Sequence, residues 1–143
     1  AGQHRSDLGD HRPFDLRHID RDITVKVETP GNVSRVWLRS RDSLDAGQRL
    51  HDAALAFASD YLLAEPIMRQ HSIPWATPGL RVASLDHAMW FHRPFRVDAW
   101  LLYVLETPTS QGARGLTHGK FYNQAGDLVA SVAQECMFRP PEQ

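Results

Sequence analysis

The sequence predicts an α+β domain in which a curved antiparallel sheet wraps one buried helix. Three observations carry that prediction: residues 48–63 repeat apolar side chains at helical spacing, four later segments read as strands, and a turn joins the last two strands as a hairpin. With 143 residues, folding buries about two-thirds of the unfolded surface, enough for one domain with a real core.

Residues 1–30 are polar, with charges and histidines interleaved and Pro13 and Pro30 as breakers. They read as a linker or arm, with a short strand near Ile23–Val27, ahead of a domain over residues 31–143. Ser34–Arg39 (SRVWLR) is the first proper strand, and Ser43–Gly47 offers capping chemistry for the helix that follows. That helix runs from Gln48 to Leu63, where Leu50, Ala53, Ala54, Phe57 and Tyr61 form an apolar stripe. Ala54, Ala56 and Ala58 keep it slim enough to lie close under a sheet, and Pro66 stops it. Strands follow at Arg81–Phe91, Val97–Glu106, Gly115–Asn123 and Leu128–Phe138. Gln124–Asp127 turns the last hairpin, with Gly126 as its positive-φ residue.

Sixteen Lys+Arg against seventeen Asp+Glu leave a net charge of −1, which excludes a general electrostatic footprint for nucleic acid or an anionic membrane. No apolar run has the length of a membrane span, and Ala1–Asp7 carries no signal-peptide core. The single cysteine, Cys136, excludes an internal disulfide and a Cys-based zinc cage and fits a reducing compartment. The C-terminal Arg139–Gln143 lacks a peroxisomal address, so a cytoplasmic location is expected. His4, His11, His18, His51, His71, His87, His92 and His118 fall at no metal-ligand spacing, and neither metal nor cofactor is expected. No Gly-x-Ser-x-Gly elbow, phosphate-cradling loop or dinucleotide fingerprint occurs, which disfavours a serine acyl-enzyme.

Three features break the pattern. Leu128, Ala130, Val132, Gln134, Cys136 and Phe138 alternate as the apolar face of the last strand, with one amide among them. A buried amide needs hydrogen-bond partners, so Gln134 is either a structural bridge or a group aimed into a site. Asp60 flanks the helix stripe in the last turn, where the dipole disfavours a carboxylate. Burial and the dipole would raise its pKa, which is how a general base is poised; the other reading is an exposed Asp60 that merely flanks the stripe. In Ser84–His92 (SLDHAMWFH), Asp86 and His87 are adjacent. Successive residues of a strand point to opposite faces, so they form no relay and Asp86 reads as structural.

Residues 58–63 (ASDYLL), 78–103 (PGLRVASLDHAMWFHRPFRVDAWLLY) and 113–135 (ARGLTHGKFYNQAGDLVASVAQE) resemble the acyl-CoA thioesterase II family, in register from about Val36 to Arg139. The resemblance implies a hotdog fold and a nucleophilic water held by an Asp on the central helix, a Thr at the start of the Asp-His-x-Met-Trp strand and a Gln in the last strand. Those positions are Asp60, Ser84 and Gln134; serine keeps the hydroxyl and loses the methyl. Such proteins carry two hotdogs in a chain about twice this length, and this chain resembles the second.

Acyl-CoA thioester hydrolysis is therefore the expected function. Asp60 acts as base on a water that Ser84 and Gln134 also hold, and backbone N–H groups at a helix N-terminus are the candidate oxyanion donors. The alternative is a non-catalytic acyl-CoA-binding or assembly half that needs a partner hotdog. A hotdog hydratase is disfavoured, since Asp86 and His92 do not reproduce its Gly-Asp-x-Asn-Pro-x-His loop. The expected partners are the acyl-CoA substrate and a second hotdog, either another copy of this chain or a separate first half.

Overall fold

The computed structural model describes residues 12–142. In chain order its elements are β1 (Phe14–His18), β2 (Val33–Ser40), α1 (Gln48–Ser59), a 3₁₀ turn (Asp60–Leu62), α2 (Glu65–Gln70), β3 (Arg81–Ser84), β4 (Ala88–Phe91), β5 (Leu101–Gln111), β6 (Arg114–Tyr122) and β7 (Leu128–Arg139). The strands form one antiparallel sheet in the order β1-β2-β5-β6-β7, and both β3 and β4 pair along the outer side of β7.

β7 alternates as expected, with Ala130, Val132, Gln134, Cys136 and Phe138 all buried. Gly126 turns the hairpin before it at φ +89°. α1 lies against the concave face, where Leu55, Ala58 and Leu62 pack with Val36, Leu38, Tyr103, Leu105, Phe121 and Val132. A second cluster gathers Ile23, Ile67, Met68, Cys136 and Phe138 around α2.

The buried face of α1 is not the expected stripe. His51, Leu55, Ala58 and Ser59 are buried, while Leu50 is 51% and Phe57 62% exposed. Both sets satisfy helical spacing, because this helix is apolar on more than one side. The sheet accepts the side carrying Leu55 and Leu62, and leaves Phe57 and Tyr61 in a ring cluster with Phe14. The helix also ends at Ser59 rather than Leu63. Pro66 stops nothing: it sits in the first turn of α2, where its missing N–H is no loss. Nor do side chains of Ser43–Gly47 cap α1, whose N-cap is Gly47 with no side-chain bond. The entry loop is held instead by His51, whose Nδ1 accepts Val97 N–H at 3.0 Å while Nε2 donates to Leu44 O at 3.1 Å.

Residues 81–91 are two strands, not one. Ser84 pairs with Cys136 and Ala88 with Ala133, so four steps on this side match three on β7. The extra residue is a bulge spanning Leu85–His87. Glu135 fills it, giving its N–H to Asp86 Oδ1 at 2.6 Å and accepting Leu85 N–H at 2.9 Å. The structural role expected of Asp86 is thus visible.

Over its described part the polar arm is built into the fold. No strand forms at Ile23–Val27; the strand is β1, where Phe14–His18 pairs with Val36–Ser40. Ile23 is fully buried in the second cluster. The fully buried Arg69 of α2 donates to Ser34 Oγ and Thr29 Oγ1 at 2.7 Å each and to the carbonyls of Asp20 and Arg21. Ala1–His11 lies outside the described residues, and with it His4, His11 and the N-terminal segment considered above. No helix among the described residues is long and apolar enough to cross a membrane.

His18 brings β1 against α2, its Nε2 3.3 Å from Glu65 Oε2. Burial, the largest influence, opposes the charged ring, but the Glu65 carboxylate and Asp22 outweigh it and raise the His18 pKa above 6.5. The folded chain therefore holds this proton more tightly than the unfolded one. The stability it contributes is complete below pH 6.5 and is lost as pH rises through the higher folded-state pKa. Urea midpoints across that interval should fall with pH in the wild type, and His18→Gln should flatten the slope.

Candidate active site

Asp60 caps the C-terminal end of α1, Ser84 ends β3, and Gln134 lies at the middle of β7. Three distant parts of the chain thus meet at one point. Ser84 Oγ–H donates to Asp60 Oδ1 at 2.9 Å, and Gln134 Nε2 donates to the same oxygen at 2.9 Å. Gln134 Nε2 also lies 3.0 Å from Ser84 Oγ and 3.3 Å from Cys136 Sγ. Two amide protons are therefore shared among three acceptors. Asp60 Oδ2 has no protein partner among the described residues.

A fourth residue, His87, completes the cluster. Its Nδ1 donates to Gln134 Oε1, and its Nε2 stands 3.1 Å from Ser59 Oγ, which bonds Ala56 O at 2.7 Å. With Oε1 engaged by His87, the amide must turn its N–H groups toward Asp60 and Ser84. Strand parity counted straight through residues 81–91 puts His87 on the opposite face from Ser84. The bulge inserts one residue and reverses that parity, so His87 faces Gln134. A bulge leaves no periodicity signal in so short a segment; the polar run Ser84, Asp86, His87 was the only hint.

The surroundings are unequal. Gln134 is 1% exposed, whereas Asp60, Ser84 and His87 are open to solvent in the single chain. Of the two placements that the sequence leaves open for Asp60, the structure has the exposed one beside the stripe. Behind Gln134, Cys136 is buried; burial first, then the Asp60, Asp86 and Glu135 carboxylates, push its thiol up, while the Gln134 N–H works the other way. Tyr103 is also buried and raised well above 10.0, by burial first and then by Asp60 and Cys136. Its hydroxyl donates to Ser59 O at 2.8 Å, steadying the turn that carries Asp60. Gly119 makes that possible, since a Cβ there would come within 2.5 Å of the Tyr103 ring. The N-terminus of α1 lies a helix length, about 18 Å, from Asp60, so its N–H groups do not serve this site. Among the described residues, no three His, Cys, Asp or Glu side chains are placed to hold a metal.

A family model described as acyl-CoA thioesterase matches residues 11–137. Human acyl-coenzyme A thioesterase 8 is 39% identical over 128 residues, 89% of this chain and 40% of that protein. The crystal structure of an acyl-CoA thioesterase II from Mycobacterium marinum superposes with a TM-score of 0.76 at 44% identity, covering 91% of this chain and 50% of that one. The chain thus spans about half the length of these relatives. A hot dog fold protein from Alicyclobacillus acidocaldarius, 17% identical, matches 91% of this chain and 47% of its own with a TM-score of 0.69. That likeness concerns the fold alone: a helix inside a curled antiparallel sheet is the hotdog fold.

Replacing His87 tests whether the amide is held as described. His87→Leu removes the donor to a buried carbonyl oxygen and should cost about 1–3 kcal/mol in urea unfolding. His87→Gln, which can still donate, should recover part of the loss.

Proposed function

The chain belongs to the acyl-CoA thioesterase family, and we propose that it hydrolyses acyl-CoA thioesters to a free fatty acid and coenzyme A. The observation that carries the reading is the convergence on Asp60: Ser84 and Gln134 both donate to Oδ1. Oδ2 is then the basic oxygen left for a water. Asp60 takes a proton from that water as its oxygen bonds the thioester carbonyl carbon. The tetrahedral intermediate collapses by breaking the C–S bond, and the coenzyme leaves as a thiolate, which takes the proton held by Asp60 and restores the carboxylate. Ser84 and Gln134 orient the carboxylate and the water, and the Gln134 amide helps to polarise the carbonyl. A thiolate is a good leaving group, so a positioned base and polar helpers suffice for the chemistry.

The site further supports a reading in which activity depends on a second hotdog body. β3 and β4 form an open edge of the sheet, the kind that invites pairing with another chain. Apolar side chains crowd beside it: Leu85 is 54%, Trp90 52% and Phe91 43% exposed. A second body on that edge would cover this surface and shield Asp60 and Ser84 from bulk water. For the chain by itself the simplest such body is another copy, joined through the same patch on both subunits.

Two measurements test these proposals. Asp60→Asn should remain folded by circular dichroism and lose at least about 100-fold in thiol release from acyl-CoA. Unchanged release would remove Asp60 from the role of base. Sedimentation at micromolar concentration should give a species larger than 16.2 kDa. A stable monomer with full activity would refute the dependence on a second body.

A further inference from the structure

A cleft of about 710 Å³ opens at the end of the sheet, separate from Asp60. Three adjacent strands each bring an arginine to it: Arg81 from β3, Arg139 from β7 and Arg114 from β6. The register sets Arg81 directly opposite Arg139, and Arg114 opposite Met137, which shares the side of β7 that carries Arg139. Like charges opposed across an antiparallel pair destabilise it. All three arginines are exposed, and none has a hydrogen bond, ion pair or ring partner among the described residues. Glu142 is the one carboxylate among the described residues lining the cleft. In a chain of net charge −1, this is a concentrated basic site whose own strands gain nothing from it.

We propose that this cleft receives the phosphate-bearing end of the acyl-CoA substrate. The identity of that ligand rests on the hydrolase reading above. Coenzyme A carries a pyrophosphate and a ribose phosphate at one end and the thioester at the other, joined by an uncharged pantetheine arm. Guanidinium groups match phosphate oxygens in paired hydrogen bonds, and phosphates lying between Arg81 and Arg139 turn their repulsion into shared attraction. The spacing agrees. Arg81 is three residues from Ser84 along β3, and Arg139 five from Gln134 along β7, roughly 10 and 17 Å. Both arginines have the outward parity, opposite to Ser84 and Gln134, so the arm passes round the end of the sheet to reach Asp60. An extended pantetheine arm spans such a gap. The cleft also reaches the inner face of the sheet: Phe138 shares the inward parity of Gln134 and Cys136, and the His71 ring stacks on it at 5.2 Å.

The test uses the full chain with Arg81→Gln, Arg139→Gln and the double variant. Calorimetric titration with coenzyme A should show affinity falling about tenfold per arginine, as befits lost charge-assisted bonds. Titration with pantetheine, which lacks phosphates, should not distinguish the variants from wild type. In kinetics, the ratio of kcat/KM for octanoyl-CoA to that for S-octanoyl-N-acetylcysteamine should fall by a similar factor. Thermal midpoints of the ligand-free variants should stay at or above that of the wild type, because an opposed like-charge pair has been removed. Equal coenzyme A affinity in all forms, equal losses toward pantetheine, or no coenzyme A binding by wild type would overturn the proposal. If wild type releases thiol from neither thioester, the hydrolase reading fails, while the coenzyme A titration still decides the cleft.

Discussion

The hydrogen bond from the Gln134 amide to Asp60 joins the middle of the last strand to the end of the central helix, 74 residues apart in sequence. β7 is the strand on which the sheet is organised, since β6 pairs along one side and β3 and β4 along the other. Its inward face is apolar except for this amide. One polar group in such a face is tolerable only when bonded throughout, and Gln134 is: Oε1 to His87, Nε2 to Asp60 and Ser84. The end of α1, the edge strand and the core strand are held in one arrangement by the demands of a single side chain.

The edge is where order and exposure meet. The bulge at Leu85–His87 interrupts pairing with β7, and Asp86 and Leu85 close the gap by bonding Glu135. A uniform strand would have sent His87 outward and left Gln134 Oε1 without a donor. The interruption thus spends regular pairing to complete a polar cluster, as bulges beside functional sites do. The same edge leaves Trp90 and Phe91 exposed beside the polar cluster.

Charge is handled in two opposite ways. Arg69 is buried, yet its guanidinium is bonded to hydroxyls and carbonyls of residues 20–34, and this moors a polar segment to the second core cluster. Burial alone depresses its pKa, against the pull of Glu65, Asp20 and Asp22. A buried charge of this kind is tolerated because its donors are satisfied. The arginines at the end of the sheet are exposed and have no partner among the described residues.

Much was legible in the residues themselves. Alternation in Leu128–Phe138 and the Gly126 turn located β7 and its hairpin, because side-chain period and turn chemistry are local properties. The amide at Gln134 stood out against its apolar neighbours, and the family motifs then paired it with Asp60 and Ser84. What only the tertiary structure decided was every choice between locally equivalent options. α1 offered two apolar sides, and the sheet selected Leu55 and Leu62 over Leu50 and Phe57. Pro66 suited the end of one helix or the start of another, and packing of Ile67 and Met68 settled the second. The arm looked like a linker because its mooring group, Arg69, lies some forty residues away. His87 faced outward until the register of β3 and β4 against β7 was known. Sequence periodicity records which residues share a face; which face is buried, and where parity reverses, depends on partners distant in the chain.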